Sequence, residues 1–189
     1  MVGTPSRADA RRNHERVLAA ARELFARHGL SVTVPQVAEL AGVGRATVYR
    51  SYPAKDDLVL AIAQERFQRL DDRTIAALTD PDPYAALCAF VPDLFTTLAQ
   101  DRGLAEAFFA GQIAPAADLL HQLTRLVEYA KPSGRIRPDL TELDLRVILC
   151  GPIRQLIVLD QWDERVWRRY AGMVLDALRP TRAGEATSG

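Results

Sequence analysis

Between Thr33 and Lys55 the chain reads TVPQVAELAGVGRATVYRSYPAK, two short runs on either side of Gly42-Val43-Gly44. Thr33 carries a helix-capping side chain, and Gln36 stands three residues on as its capping-box partner. Pro35 falls in the first turn, where a missing N–H does no harm. Val37, Leu40 and Ala41 repeat at helical spacing, and Gly42 ends the run. The second run, Arg45 to Ser51, is too short to hold a helix alone. Two such helices joined by a tight, glycine-bearing turn make a helix-turn-helix, whose second helix can enter a DNA major groove.

Charge gives that unit a plausible partner. The chain holds 24 basic and 24 acidic residues, so its formal net charge is zero. Up to Lys55 there are nine basic residues against Asp9, Glu15, Glu23 and Glu39, a surplus of five. The rest carries the opposite surplus. A basic N-terminal part on an acidic remainder suits a polyanion-binding module attached to something else. No apolar run approaches the roughly 20 residues of a membrane span, and the N-terminus has no apolar core of a secretory signal. A cytoplasmic protein with no membrane partner is expected. Cys88 and Cys150 stand far apart in apolar contexts and read as reduced, buried thiols, and His14, His28 and His121 form no ligand pattern with them. No cofactor and no metal are expected.

The remaining chain reads as helical throughout. Val17, Ala20, Ala21, Leu24 and Phe25 predict a helix from about Arg11 to His28, stopped by Gly29. A long helix is expected from Lys55 to about Leu78, with Leu58, Ile62, Phe67 and Leu70 on its apolar face. Asp80-Pro81-Asp82-Pro83 is a break. Five more helices follow, at about 84–99, 102–111, 115–131, 142–160 and 163–178. Residues 1–9 and 181–189, polar and small, are expected to be disordered. Sustained β-type alternation occurs nowhere.

From VLAAARELFARHG through VTVPQVAELAGVGRATVYRSYPAKDDL, about residues 16–58, the sequence resembles the bacterial TetR-type (tetracycline-repressor-like) transcriptional regulators. GRIRPDLTELDL and MVLDALRP look like pieces of that family's C-terminal half. Gly44 and Arg50 depart from the pattern, Gly44 by offering no capping side chain. The resemblance implies an all-α protein in which an N-terminal three-helix DNA-binding domain, residues 10–56 with the helix-turn-helix at about 32–51, joins a larger helical ligand-binding and dimerisation domain, residues 57–180. It also implies a homodimer on a palindromic or near-palindromic operator, most often a repressor released by a small-molecule inducer.

Arg45 and Thr47 fall on the first turns of the second helix, where side chains meet base edges; Arg can pair with guanine and a Thr methyl can touch thymine. Ala46 and Arg50 complete the exposed set, while Val48 and Tyr52 are expected to pack inward. By resemblance, Tyr49 contacts the DNA backbone and Thr33 and Lys55 contact phosphates, Lys55 aided by its helix N-terminus. Arg7, Arg11 and Arg12 are candidates for a minor-groove arm or a solvated tail. Candidate pocket residues are Phe90, Phe108, Phe109, Tyr129, His121, Arg125 and Arg154. Leu145, Leu149 and Leu156, with Val166, Tyr170 and Val174, are the candidate dimer surface, about half of which can pack inside the monomer. Against an enzyme stands the absence of a Walker lysine, a full dinucleotide fingerprint, HExxH and GxSxG. A helical interaction protein without DNA binding is the other alternative; the Arg45, Thr47, Tyr49, Lys55 set argues against it.

Overall fold

A computed structural model describes residues 7–109 and 114–180. Among the described residues all regular structure is helical. In chain order the elements are α1 (Arg7–His28), a 3₁₀ turn (Gly29–Ser31), α2 (Val34–Ala41), α3 (Arg45–Ser51), α4 (Lys55–Leu78) and α5 (Pro83–Gln100). Then come α6 (Arg102–Phe109), α7 (Ala114–Ala130), a second 3₁₀ turn (Lys131–Ser133), α8 (Glu142–Val158) and α9 (Glu164–Ala177). The all-α reading holds, and α4 has its expected bounds. Helix α1 starts earlier than expected, so Arg11 and Arg12 belong to a helix and not to an arm. Arg12 pairs with Asp9 and Arg11 with Glu15 at 3.6 Å, contacts one turn apart that help to hold the polar first turns. Residues 7–9, expected to be disordered, are helical. The expectations for residues 1–6 and 181–189 lie outside the described residues.

The chain divides into two compact units, the division passing through α4. The first takes the described residues up to Arg66 together with those from Gln100 to Phe109. In it Val17, Ala21 and Phe25 of α1 are buried with Val34 and Val37 of α2, Val48 of α3 and Leu58 and Ile62 of α4. Two ion pairs tie α4 into this unit. Arg22 Nε donates to Glu65 Oε2 at 3.0 Å, and Arg66 pairs with Asp101. Asp101 is only 4% exposed, and it also accepts from the Leu104 N–H at 3.0 Å, capping α6. A carboxylate so buried needs such partners to offset its lost hydration.

The second unit takes Phe67–Ala99 and the described residues from Ala114 onward. Its interior holds Phe67 and Leu70 of α4, Leu94 and Phe95 of α5, Leu119 and Leu123 of α7, Leu149 of α8 and Trp167 of α9. Trp167 stacks on Trp162 with ring centroids 5.7 Å apart, and its indole N–H donates to the Gln161 carbonyl at 2.7 Å. A buried indole requires such an acceptor. Cys88 and Cys150 are free thiols, only partly buried.

The apolar faces of α8 and α9 are sorted differently from expectation. Leu145, Leu149, Leu156 and Val174 are 1–3% exposed, covered by this chain's own core, so they have no surface left for a second copy. Val166 is partly buried and Tyr170 is 37% exposed. The side chains facing outward are Leu143, Val147, Val158 and Leu159 around α8 and Met173 on α9. Both faces of α8 carry apolar side chains, and spacing alone does not say which one turns inward.

Candidate nucleic-acid interface

Helix α2 is closed at both ends by its own sequence. Thr33 has extended backbone angles, and Gln36 Oε1 accepts from both the Thr33 N–H and its hydroxyl at 2.8 Å. At the other end Gly42 takes φ 62°, ψ 40°, a left-handed conformation that favours glycine, and the Val43 N–H donates to the Ala38 carbonyl at 3.0 Å. Arg16 of α1 donates to the Gly42 carbonyl at 3.3 Å, a cation at the negative end of α2. Gly44 then opens α3 with extended angles and no side-chain cap; its carbonyl accepts from the Thr47 N–H at 2.8 Å.

The short α3 is anchored by Val48, fully buried, and followed by Tyr52, 7% exposed. Between these anchors the helix turns Arg45, Ala46, Tyr49 and Arg50 outward, with Thr47 half-buried beside them. Arg45, Tyr49 and Arg50 have no side-chain hydrogen bond or ion pair among the described residues. A seven-residue helix thus presents two unpaired guanidinium groups and a phenol on one outer face.

Lys55, at the first position of α4, is partly buried, and its ammonium donates to the Leu30 carbonyl. An ammonium carries three donors, so this contact orients the group and leaves two. The same Leu30 is held from the other side, its N–H donating to Glu106 Oε2 of α6 at 2.6 Å. Gly29, with φ 63°, makes this possible: a Cβ there would stand 2.2 Å from Glu106 Oε1. In the sequence Gly29 reads only as a helix stop. Glu106 lies 76 residues from Leu30, and nothing local to either residue signals the contact.

The candidate pocket residues divide between the two units. Phe108 and Phe109, edge to face at 5.1 Å, belong to the first unit, whereas Phe90 is buried in the second. On α7, His121, Arg125 and Tyr129 share the outer face, because Leu119, Leu123, Leu126 and Val127 take the inner one. Arg125 donates to Gln122 at 3.0 Å and Tyr129 is 55% exposed. His121 does line a cleft of about 130 Å³ with Leu120, Thr124, Glu142, Leu145 and Arg146. Arg154 sits on the exposed face of α8. Spacing identifies the stripe on α7 but not the direction it faces.

The family description "Bacterial regulatory proteins, tetR family" matches residues 17–62, covering α2, α3 and their supports. "Transcriptional regulator SbtR-like, C-terminal domain" matches residues 82–180, more than half of the chain. The chain belongs to the TetR family. Among solved TetR-family structures it is similar to the regulator SCO0520 from Streptomyces coelicolor, at 30% identity and a TM-score of 0.58, covering 88% of this chain and 98% of that one. A TetR regulatory protein from Mycobacterium vanbaalenii is 32% identical, with a TM-score of 0.55 and coverage of 92% and 99%. The fold is shared also with SmeT, the repressor of the Stenotrophomonas maltophilia multidrug efflux pump SmeDEF, at 22% identity, a TM-score of 0.67 and coverage of 92% and 95%. No curated protein sequence matches. As a TetR-family chain, the protein is a DNA-binding transcriptional regulator, and the helix-turn-helix is its DNA-binding element. No described helix is long and apolar enough to cross a membrane.

Proposed function

We propose that this TetR-family chain is a cytoplasmic homodimeric repressor. Residues 10–56 hold a palindromic or near-palindromic operator, and residues 57–180 bind a small-molecule inducer that releases it. The observation that carries the DNA half of this reading is α3: anchored by Val48, it projects Arg45, Tyr49 and Arg50 outward with no internal partner among the described residues. Arg45 on the first turn reads a base edge, with Ala46 and Thr47 against neighbouring base methyls. Tyr49, Arg50 and Lys55 meet the phosphate backbone, and Thr33 adds its hydroxyl when that group turns from Gln36. Release by an inducer is the mode that the family resemblance implies.

Dimerisation is assigned to the outward apolar stripes of α8 and α9, where Leu143, Val147, Val158 and Met173 replace the buried leucines read from the sequence. Leu143 and Val147 are one turn apart, and Val158 follows three turns later, with Gly151 and Arg154 between on the same face. An exposed apolar stripe of that length marks an interaction surface.

A gel shift with the DNA upstream of the chain's own gene tests the reading. Retardation at low salt that weakens steeply with added salt is expected. A folded dimer that fails to retard this DNA at low salt would sink the proposal. Compounds that raise the thermal midpoint in a screen of apolar, aromatic and cationic molecules should also release the retarded DNA.

A further inference from the structure

A cleft of about 120 Å³ opens between the start of α1 and the outer side of α3, lined by Ala10, Asn13, His14, Val17, Thr47, Arg50 and Ser51. We propose that this cleft seats one DNA backbone phosphate, held by Asn13 and His14 of α1 together with Arg50 and Ser51 of α3. The inference rests on the DNA-binding reading above and adds α1 to the DNA-contacting surface. The lining is a donor set suited to an oxyanion: a guanidinium, an amide NH₂, two hydroxyls and an imidazole, with no carboxylate among them. The nearest carboxylates along α1 are already engaged, Asp9 with Arg12 and Glu15 with Arg11.

The donors are also unspent. The side chains of Asn13, Thr47, Arg50 and Ser51 make no hydrogen bond among the described residues. His14, by contrast, is braced. Its ring stacks on Tyr52 with centroids 5.6 Å apart and planes 16° apart, and Nε2 lies 3.4 Å from the phenol oxygen. Burial pushes the Tyr52 hydroxyl above its ordinary pKa, so the phenol keeps its proton. The buried Tyr52 ring thus holds His14, which lines the cleft, in place. A phosphate here would be gripped from two elements at once, which fixes the tilt of α3 in the groove as well as adding affinity.

Fluorescence anisotropy with a labelled duplex carrying the upstream region tests this at several salt concentrations. Asn13→Ala should weaken binding by up to about tenfold, as loss of a hydrogen bond to a charged group would. The salt slope should be unchanged, because the amide carries no charge. Asn13→Asp should weaken it further by repelling the phosphate, and Arg50→Ala should lower the slope by about one. Single methylphosphonate replacements along the duplex should find one phosphate per half-site whose neutralisation weakens the unaltered chain but not the Asn13→Ala/Arg50→Ala double variant. Circular dichroism checks that each variant is folded. Ser51→Glu, at an exposed position, repeats the repulsion test from the other wall. Variants at Asn13 and Ser51 that bind like the unaltered chain, or a duplex with no such phosphate, would overturn the cleft while leaving DNA binding by α3 intact. Failure of the unaltered chain to bind would overturn both.

Discussion

Single side chains on this surface divide by what they touch. Lys55→Ala removes a charge aimed at the backbone, so affinity should fall by a similar factor for every DNA sequence and the salt slope should drop by about one. Arg45→Ala should instead relax the preference at one base pair of each half-site, costing about 1–3 kcal/mol at the preferred base. Binding measured across a panel of single-base operator variants separates the two, and equal, sequence-independent losses would refute the division. Gly29 makes a different claim. Alanine at its φ of 63° carries the left-handed penalty of about 1–2 kcal/mol. Its Cβ would also push Glu106 off the Leu30 N–H, adding about 1–3 kcal/mol. Gly134, at φ 70° with nothing within 4 Å of an added Cβ, is the control that should show the first cost alone. Thermal or urea unfolding of the two alanine variants tests the difference.

Capping chemistry sets several helix starts. Asp82 opens α5, its Oδ1 accepting from the Ala85 and Tyr84 N–H groups, and Arg135 donates to both its oxygens at 3.0 Å. These contacts, the Ala85 N–H foremost and the Arg135 guanidinium next, hold the Asp82 carboxyl below its ordinary pKa. A carboxylate with a lowered folded pKa adds stability above its unfolded pKa, near 4, and loses it as pH falls through the folded value. Asp82→Asn should therefore be less stable than the unaltered chain at neutral pH, and the gap should begin to narrow below about pH 4 and close as pH falls through the folded value. Unfolding curves at pH 7 and pH 3 read it directly.

Elements with such signals were legible: Thr33, Gln36 and Gly42 bound α2, and α4 runs from Lys55 to Leu78 as its apolar stripe requires. The start of α1 was not, because Arg7 to Ala10 offer no apolar repeat, Asp9 making only a surface pair with Arg12. On α7 and α8, for a related reason, the sequence does not tell the outer face from the inner one. Helical period names a face, but only packing decides which of two apolar or mixed faces is covered. Contacts such as Leu30 with Glu106 join residues far apart in sequence and leave no periodic trace.

At the scale of the whole molecule, the operator reading requires two copies. The apolar stripe on α8, with Leu143 69% and Val147 61% exposed, should be covered in a dimer. A charge at its centre, Val147→Glu, should shift the chain to monomer in sedimentation at micromolar concentration while helix content is retained, and should weaken operator binding with it. An unchanged dimer would place the interface elsewhere. The central claim, that a pair of α3 helices reads a two-fold site, is tested most directly by hydroxyl-radical footprinting on the DNA upstream of the chain's own gene. Two protected patches related by a dyad are expected, their centres about one helical turn (34–36 Å) apart or a small multiple of it, both lost with Arg45→Ala and Lys55→Ala together. A single patch, or protection that survives both substitutions, would contradict the account.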